Sequence, residues 1–181
     1  MDQSLSSAPA AQTRLAVPSP FGWCVIAILA SVATLGAAHS FETFGGYAPC
    51  ELCLHQREVY WVALAVGLLG LAATRRWPQH GRKVALLLAA IFAVGMVLAA
   101  YHAGVEWKWW PGPTSCTGGT GSVSASAMTD LLNGKKARPP ACDQAAWRMF
   151  GISMAGYNAL ISAALVALGA LVGASKRQAA A

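Results

Sequence analysis

Residues 48–58, APCELCLHQRE, decide how the rest of the chain is read. Cys50 and Cys53 stand three apart, Arg57 follows four residues later, and an apolar run begins directly after. A C-x-x-C is half a zinc site, a structural staple or a redox pair, and its surroundings must discriminate. Pro49 suits the first position of a helix, where its missing N–H costs nothing. Cys50 and Cys53 would then lie in the first turn, among unpaired N–H groups at the positive end of the helix dipole. That setting stabilises a thiolate. Arg57 shares the same helix face and adds a cation that favours the charged sulfur. A staple needs no such environment. Taken alone, Arg57 also suits an arginine that snorkels to the membrane surface.

The solvent is set by composition. Of 181 residues, 56% are hydrophobic and only 11% charged, against about 45–50% and about 25% for soluble domains. Four apolar stretches, Phe21–Ala38, Val59–Thr74, Val84–Tyr101 and Phe150–Ala174, contain no Lys, Arg, Asp or Glu. A helix of about 20 apolar residues crosses a bilayer core, and only such self-satisfied backbones can do so. The expected fold is all-α: an integral membrane four-helix bundle with a long outer loop between helices 3 and 4. Gly36-Ala37-Ala38 resembles a signal-peptide cleavage site, but an uncharged, mainly apolar stretch of 18 residues exceeds an h-region of about 7–15 and the only upstream cation is Arg14. A retained first helix is expected.

Basic residues orient the bundle. Arg75, Arg76, Arg82 and Lys83 crowd the loop RRWPQHGRK, Lys176 and Arg177 follow the last span, and Arg14 precedes the first. Short basic loops stay cytoplasmic, which gives cytoplasmic tails 1–20 and 175–181, a cytoplasmic loop 75–83, outer loops 39–49 and 103–148, and a four-span domain 21–174. The cations of 103–148 are diluted in a long segment with Glu106, Asp130 and Asp143, so they orient less. The net charge of +6 reads as topology and contact with lipid headgroups. Split among loops, it offers no nucleic-acid face.

This topology puts Cys50, Cys53, Cys116 and Cys142 on the outer side, where disulfides persist, and leaves Cys24 as a small buried apolar side chain. A four-cysteine zinc cage takes two closely spaced pairs, whereas 25 residues separate Cys116 from Cys142; no metal is expected. Disulfides that merely staple loops remain the plainer alternative. The loop around Cys116 is rich in Gly, Pro, Ser and Thr, as a mobile segment would be. Within it, Ala125–Leu132 suits a helix on the bilayer surface or an ordinary soluble one. Trp107, Trp109 and Trp110 read as an aromatic belt or, more sharply, as a platform for a flat ligand.

Pro49-Cys50-x-x-Cys53 with Arg57, the later Cys116 and Cys142, and CDQAAWRMFGISMAGYNAL opening the last span together resemble the bacterial disulfide-forming oxidoreductases of the DsbB family, over Phe21 to Gly173. The resemblance implies a bacterial inner-membrane, multi-pass enzyme with both termini cytoplasmic and its outer loops periplasmic. It would reoxidise a periplasmic DsbA-type thiol oxidase, the relay that with quinone keeps the bacterial periplasm oxidising. It further implies disulfides Cys50–Cys53 and Cys116–Cys142 in the resting protein, with Cys116 attacked by the partner. Cys53 would face a membrane quinone (ubiquinone or menaquinone), with Arg57 beside it. His102-x-x-x-Glu106 is similar to the family's histidine and quinone-contacting glutamine, with glutamate in the second place. A glutamate donates to a quinone oxygen only when protonated; it would otherwise pair with Arg57 or accept a proton. An interfacial cap is the other reading of both residues.

Two rival functions stand beside this one. Quinone reductases of the vitamin K epoxide reductase type also have four spans, but their loop cysteines precede the C-x-x-C, and here they follow. A non-enzymatic assembly factor with structural disulfides would need no bound quinone.

Overall fold

Ser19 and Pro20 begin the first helix as the sequence dictates. The Ser19 Oγ accepts from the Gly22 N–H at 3.1 Å and Pro20 fills the first helical position, so a donor that would be orphaned is absent or satisfied. The computed structural model describes residues 17–114 and 141–175. Along them run α1 (Pro20–Thr43), α2 (Glu51–Arg76), a 3-10 turn (Pro78–His80), α3 (Gly81–Glu106), a two-residue hairpin of β1 (Arg148–Met149) and β2 (Ile152–Ser153), and α4 (Met154–Ala174). The four α-helices are each long and apolar enough to cross a membrane. Even α4, at 21 residues, reaches about 32 Å at 1.5 Å per residue, matching a hydrocarbon core of about 30 Å.

Their outward faces carry Leu29, Val32, Leu68, Leu69, Val94, Val97, Leu160 and Leu171, all exposed. Such a surface would be a liability in water and is at home in lipid. Inside, Trp23, Tyr60 and Phe92 are buried, with Phe92 6.1 Å from each of the other two rings. Helix crossings use small residues, as membrane helices do. A Cβ on Gly70 would lie 2.5 Å from Val84 Cγ1 and 3.3 Å from Cys24 Sγ, and one on Gly173 2.4 Å from Leu86 Cδ2. Cys24 is free and fully buried there, as expected of a small apolar side chain.

The bundle runs α1–α2–α3–α4 by adjacency, with α3 and α4 the most intimate pair and α1 and α4 barely meeting. At one end the turn from α2 to α3 presents the basic residues; Arg75 lies 4.9 Å over the Phe21 ring and Arg76 5.5 Å over Trp77. At the other end the cysteines gather.

Four boundaries differ from the sequence reading: α3 runs on to Glu106, past residue 103 where the outer loop was expected to begin, and three others bear on the site. First, α1 continues to Thr43 instead of stopping near Ala38, which carries Phe41 and Glu42 on the helix. Second, the last helix starts at Met154, not Phe150. Arg148 pairs with Ser153 and Met149 with Ile152, and Phe150 and Gly151 turn at φ 50° and 81°, the two positive angles a tight hairpin needs. Ser153 then caps α4 by accepting from the Gly156 N–H at 3.2 Å. Third, Pro49 lies before the helix cap and not at the first helical position. Cys50 is the N-cap, and its Sγ accepts from the Cys53 N–H at 3.3 Å. The sulfur has taken the role that a Ser or Asp oxygen has elsewhere. Cys116 and the 125–132 segment lie outside the described residues.

Candidate functional site

Cys50 and Cys53 sit at the start of α2 with their Sγ atoms 2.9 Å apart, as hydrogen-bond donor and acceptor, and both are free thiols. The expected Cys50–Cys53 disulfide is therefore open in this structure. Cys142 is disulfide-bonded; Cys116, its expected partner, lies outside the described residues. The first-turn setting, expected to stabilise a thiolate, does not do so at Cys50. The S–H that Cys50 donates to Cys53 Sγ, followed by burial, pushes the Cys50 pKa well above that of an ordinary thiol. Cys50 keeps the proton of the pair, because the donor of a shared hydrogen bond cannot also carry its negative charge.

Cys142 is 1% exposed and packs with Cys50 and Leu52, with Cys53 and Tyr101 at the edge of the cluster. An ion pair between Lys108 and Asp143 ties this segment to the chain leaving α3. The return of the chain over α3 is close: a Cβ on Gly104 would fall 2.0 Å from Trp110 Cζ2, so only glycine admits the indole. Trp110 in turn stacks on Tyr101 at 6.0 Å and donates to its carbonyl oxygen at 3.0 Å. Trp107 and Trp109 touch at 4.7 Å, confirming the cluster, though none of the three tryptophans lines the cavity described next.

A cavity of about 340 Å³ opens from the cysteines among α1, α2, α3 and α4, a size within the range of small-molecule sites. Cys50, Cys53, Arg57, His102 and Glu106, all anticipated, line it together. Phe41, Tyr47, Trp147 and Tyr157, not anticipated, form its aromatic wall: Phe41 lies 5.3 Å from Trp147, and Trp147 lies 6.3 Å from Tyr157.

Arg57 does not pair with Glu106. Its Nη1 donates to Glu42 Oε2 at 2.5 Å and its Nη2 to the Ala38 carbonyl at 3.2 Å, both on the extended α1. Glu106 instead places Oε1 3.7 Å from His102 Nε2, while its Oε2 has no hydrogen-bond partner among the described residues. The same Nε2 stands 3.7 Å from Cys50 Sγ. Behind His102 a polar chain that sequence reasoning missed runs into the bundle: Gln56, Asn158, Tyr60 and Ser162. One signal was available, since Gln56/Tyr60 and Asn158/Ser162 are both spaced four apart and so share a face.

Cys50, Cys53 and His102 bring three soft ligand atoms within 4.8 Å of one another, a count that suits an open zinc site. The sulfurs, however, are engaged with each other, as a dithiol poised for exchange would be.

A family model described as disulfide bond formation protein DsbB matches residues 21–172. Disulfide bond formation protein B of Dechloromonas aromatica is 26% identical over 157 residues, covering 83% of this chain and 90% of that protein. The protein of the same name from Idiomarina loihiensis is 26% identical over 161 residues, covering 84% and 83%. With four membrane-length helices and a C-x-x-C at the mouth of a cavity, this chain belongs to the DsbB family of disulfide bond formation proteins.

Proposed function

We propose that the chain reoxidises a periplasmic DsbA-type thioredoxin-fold protein and delivers the electrons to a membrane quinone, from the bacterial inner membrane and with both termini cytoplasmic. One juxtaposition carries the reading: a dithiol lining an aromatic-walled cavity, with a disulfide-bonded cysteine packed against Cys50.

The relay balances as follows. A thiolate of the reduced partner attacks Cys116, forming a mixed disulfide and releasing Cys142 as a thiolate. The partner's second thiol resolves that bond and leaves oxidised. Cys142 then attacks Cys50 of an oxidised Cys50–Cys53 pair, and Cys53 departs as the leaving thiolate. Cys116 attacks Cys142 of that Cys142–Cys50 bond and displaces Cys50, which closes the loop disulfide again and leaves the C-x-x-C as the dithiol seen here. Exchange of this kind needs a thiolate, an in-line sulfur and a good leaving group. The packing of Cys142 on Cys50 supplies the approach.

A quinone suits the cavity by size, by its aromatic wall and by the Arg57 cation in its lining; when bound it supplies an acceptor of two electrons and two protons. Phe41, Trp147 and Tyr157 would hold a flat ring by offset contacts. Arg57 would aim fixed positive charge at a ring oxygen, held in place by Glu42. Cys50 keeps one of the protons that reduction requires.

In a mixture of the purified chain, a reduced DsbA-type protein and ubiquinone or menaquinone, two partner thiols are expected to be lost for each quinol formed. Bound quinone that stays oxidised while the partner stays reduced would defeat the proposal.

A further inference from the structure

Gln56 is buried between α2, α3 and α4 with its whole amide engaged. Its Nε2 donates to the Leu52 carbonyl at 3.2 Å and meets His102 Nδ1 at 2.9 Å, and its Oε1 accepts from Asn158 Nδ2 at 2.6 Å. Asn158 Oδ1 accepts from Tyr60 OH at 2.5 Å, and Tyr60 OH lies 3.1 Å from Ser162 Oγ. The orientation of a side-chain amide is assigned by its partners, and one partner here has no freedom. A backbone carbonyl only accepts, so the Gln56 NH2 must face Leu52. Turning the amide over would set oxygen against oxygen there and NH2 against the Asn158 NH2. The same NH2 therefore donates to His102 Nδ1. That nitrogen is bare, and the ring proton sits on Nε2, which lies 3.7 Å from both Cys50 Sγ and Glu106 Oε1, in a ring that also meets the Cys142 backbone.

We infer that Gln56, braced by Asn158, is a positioning residue that locks His102 in one tautomer, so that the imidazole serves the Cys50 sulfur as a fixed N–H donor and never as its base. The ring cannot take the Cys50 proton: Nε2 already carries one, and Nδ1 faces a donor. The proton of Cys50 is left to move toward Cys53, 2.9 Å away. The donor also favours negative charge on Cys50 when Cys116 attacks Cys142 and Cys50 leaves, which steers exchange between the two pairs. By the same token Nε2 has no lone pair for a metal, which closes the three-ligand cluster of Cys50, Cys53 and His102.

The kinetic part of this inference rests on the proposed quinone-linked reaction; the tautomer does not. Ring 15N NMR of the full chain in lipid nanodiscs, with the His102 signals assigned by their loss in His102→Gln, reads the tautomer without turnover. Wild type is expected to show bare Nδ1 and protonated Nε2. In Gln56→Met the ring should populate both tautomers, and turnover at saturating quinone should fall about tenfold, the order of one hydrogen bond to a charged sulfur. KM for quinone should stay within about twofold, since Gln56 acts through His102. Asn158→Leu, which does not touch His102, should give a smaller loss of the same kind and serves if Gln56→Met fails to fold. A proton on Nδ1 in wild type, or an unchanged single tautomer in a folded Gln56→Met, overturns the inference. Absent quinone reduction by wild type would instead sink the proposed reaction and leave the tautomer standing.

Discussion

Arg57→Met and Glu42→Gln, made separately, discriminate between two roles for one ion pair. Arg57 is 15% exposed at the side chain and Glu42 39%, so solvent screens the pair and its worth lies near the low end, about 0–1 kcal/mol. The bond from Arg57 Nη2 to the Ala38 carbonyl adds about 1 kcal/mol. Arg57→Met is thus expected to cost about 1–2 kcal/mol of stability and Glu42→Gln less than about 1 kcal/mol, leaving both folded. Function should separate them more widely. Removing one preorganised donor from a developing oxyanion commonly costs about 10²–10³ in rate, or about 3 kcal/mol and more. Here the neighbouring Glu42 offsets part of the charge, so a loss of about tenfold, roughly 1.4 kcal/mol, is expected in kcat/KM for quinone in Arg57→Met. Glu42→Gln should be unchanged or slightly faster, because the cation is then uncompensated. The assay is quinol formation from a reduced DsbA-type partner over a quinone titration, with thermal melting as the control for folding. Equal losses in both variants would show the arginine to be a strut between α1 and α2. No loss in Arg57→Met would make it a membrane-boundary anchor only.

Cys142→Ser is expected to strand Cys116 in a mixed disulfide with a thioredoxin-fold partner on non-reducing gels, while Cys53→Ser should halt quinol formation yet let the loop pair exchange; capture by neither variant would refute the relay. A probe at His80→Cys should react with permeant maleimide alone, since the basic turn between α2 and α3 is expected to be cytoplasmic; labelling by an impermeant reagent from outside would reverse the topology. Gly104→Ala should drive Trp110 off Tyr101, lowering stability by about 1–3 kcal/mol and shifting tryptophan emission; wild-type melting and emission would contradict the packing.

The four spans were legible because charge-free runs of membrane length leave the backbone one solution. The mouth of the site was legible for a similar reason: Cys50, Cys53 and Arg57 recur along one face of α2, and His102 and Glu106 along one face of α3 at the same end. What escaped was what depends on how far helices run and how they rotate. Glu42 became the partner of Arg57 only because α1 outruns its apolar stretch by a turn. Gln56, Tyr60, Asn158 and Ser162 are individually unremarkable polar residues within greasy helices. Which face of α2 meets which face of α4 is fixed by packing that hydropathy does not encode. The start of α4 was misplaced because Phe150 is apolar and yet adopts a turn conformation.

The polar bridge from α2 to α4 has a bearing on how the protein is made. Ribosomes deliver α2 and α3 to the membrane before α4 exists, so Gln56 Oε1 and the Tyr60 hydroxyl enter the bilayer without Asn158. Unmet polar groups in hydrocarbon are costly, and interhelical hydrogen bonds worth about 0.6–2 kcal/mol each draw helices together there. The nascent three-helix intermediate is therefore unfinished in a specific place, and α4 is the piece that latches it. A chain that stalls before residue 154 would present those amide and hydroxyl groups to membrane quality control, while its C-x-x-C would be fully synthesised and exposed to oxidant. Biogenesis of this family member thus turns on the last helix, although most of the site's titratable residues are translated well before it.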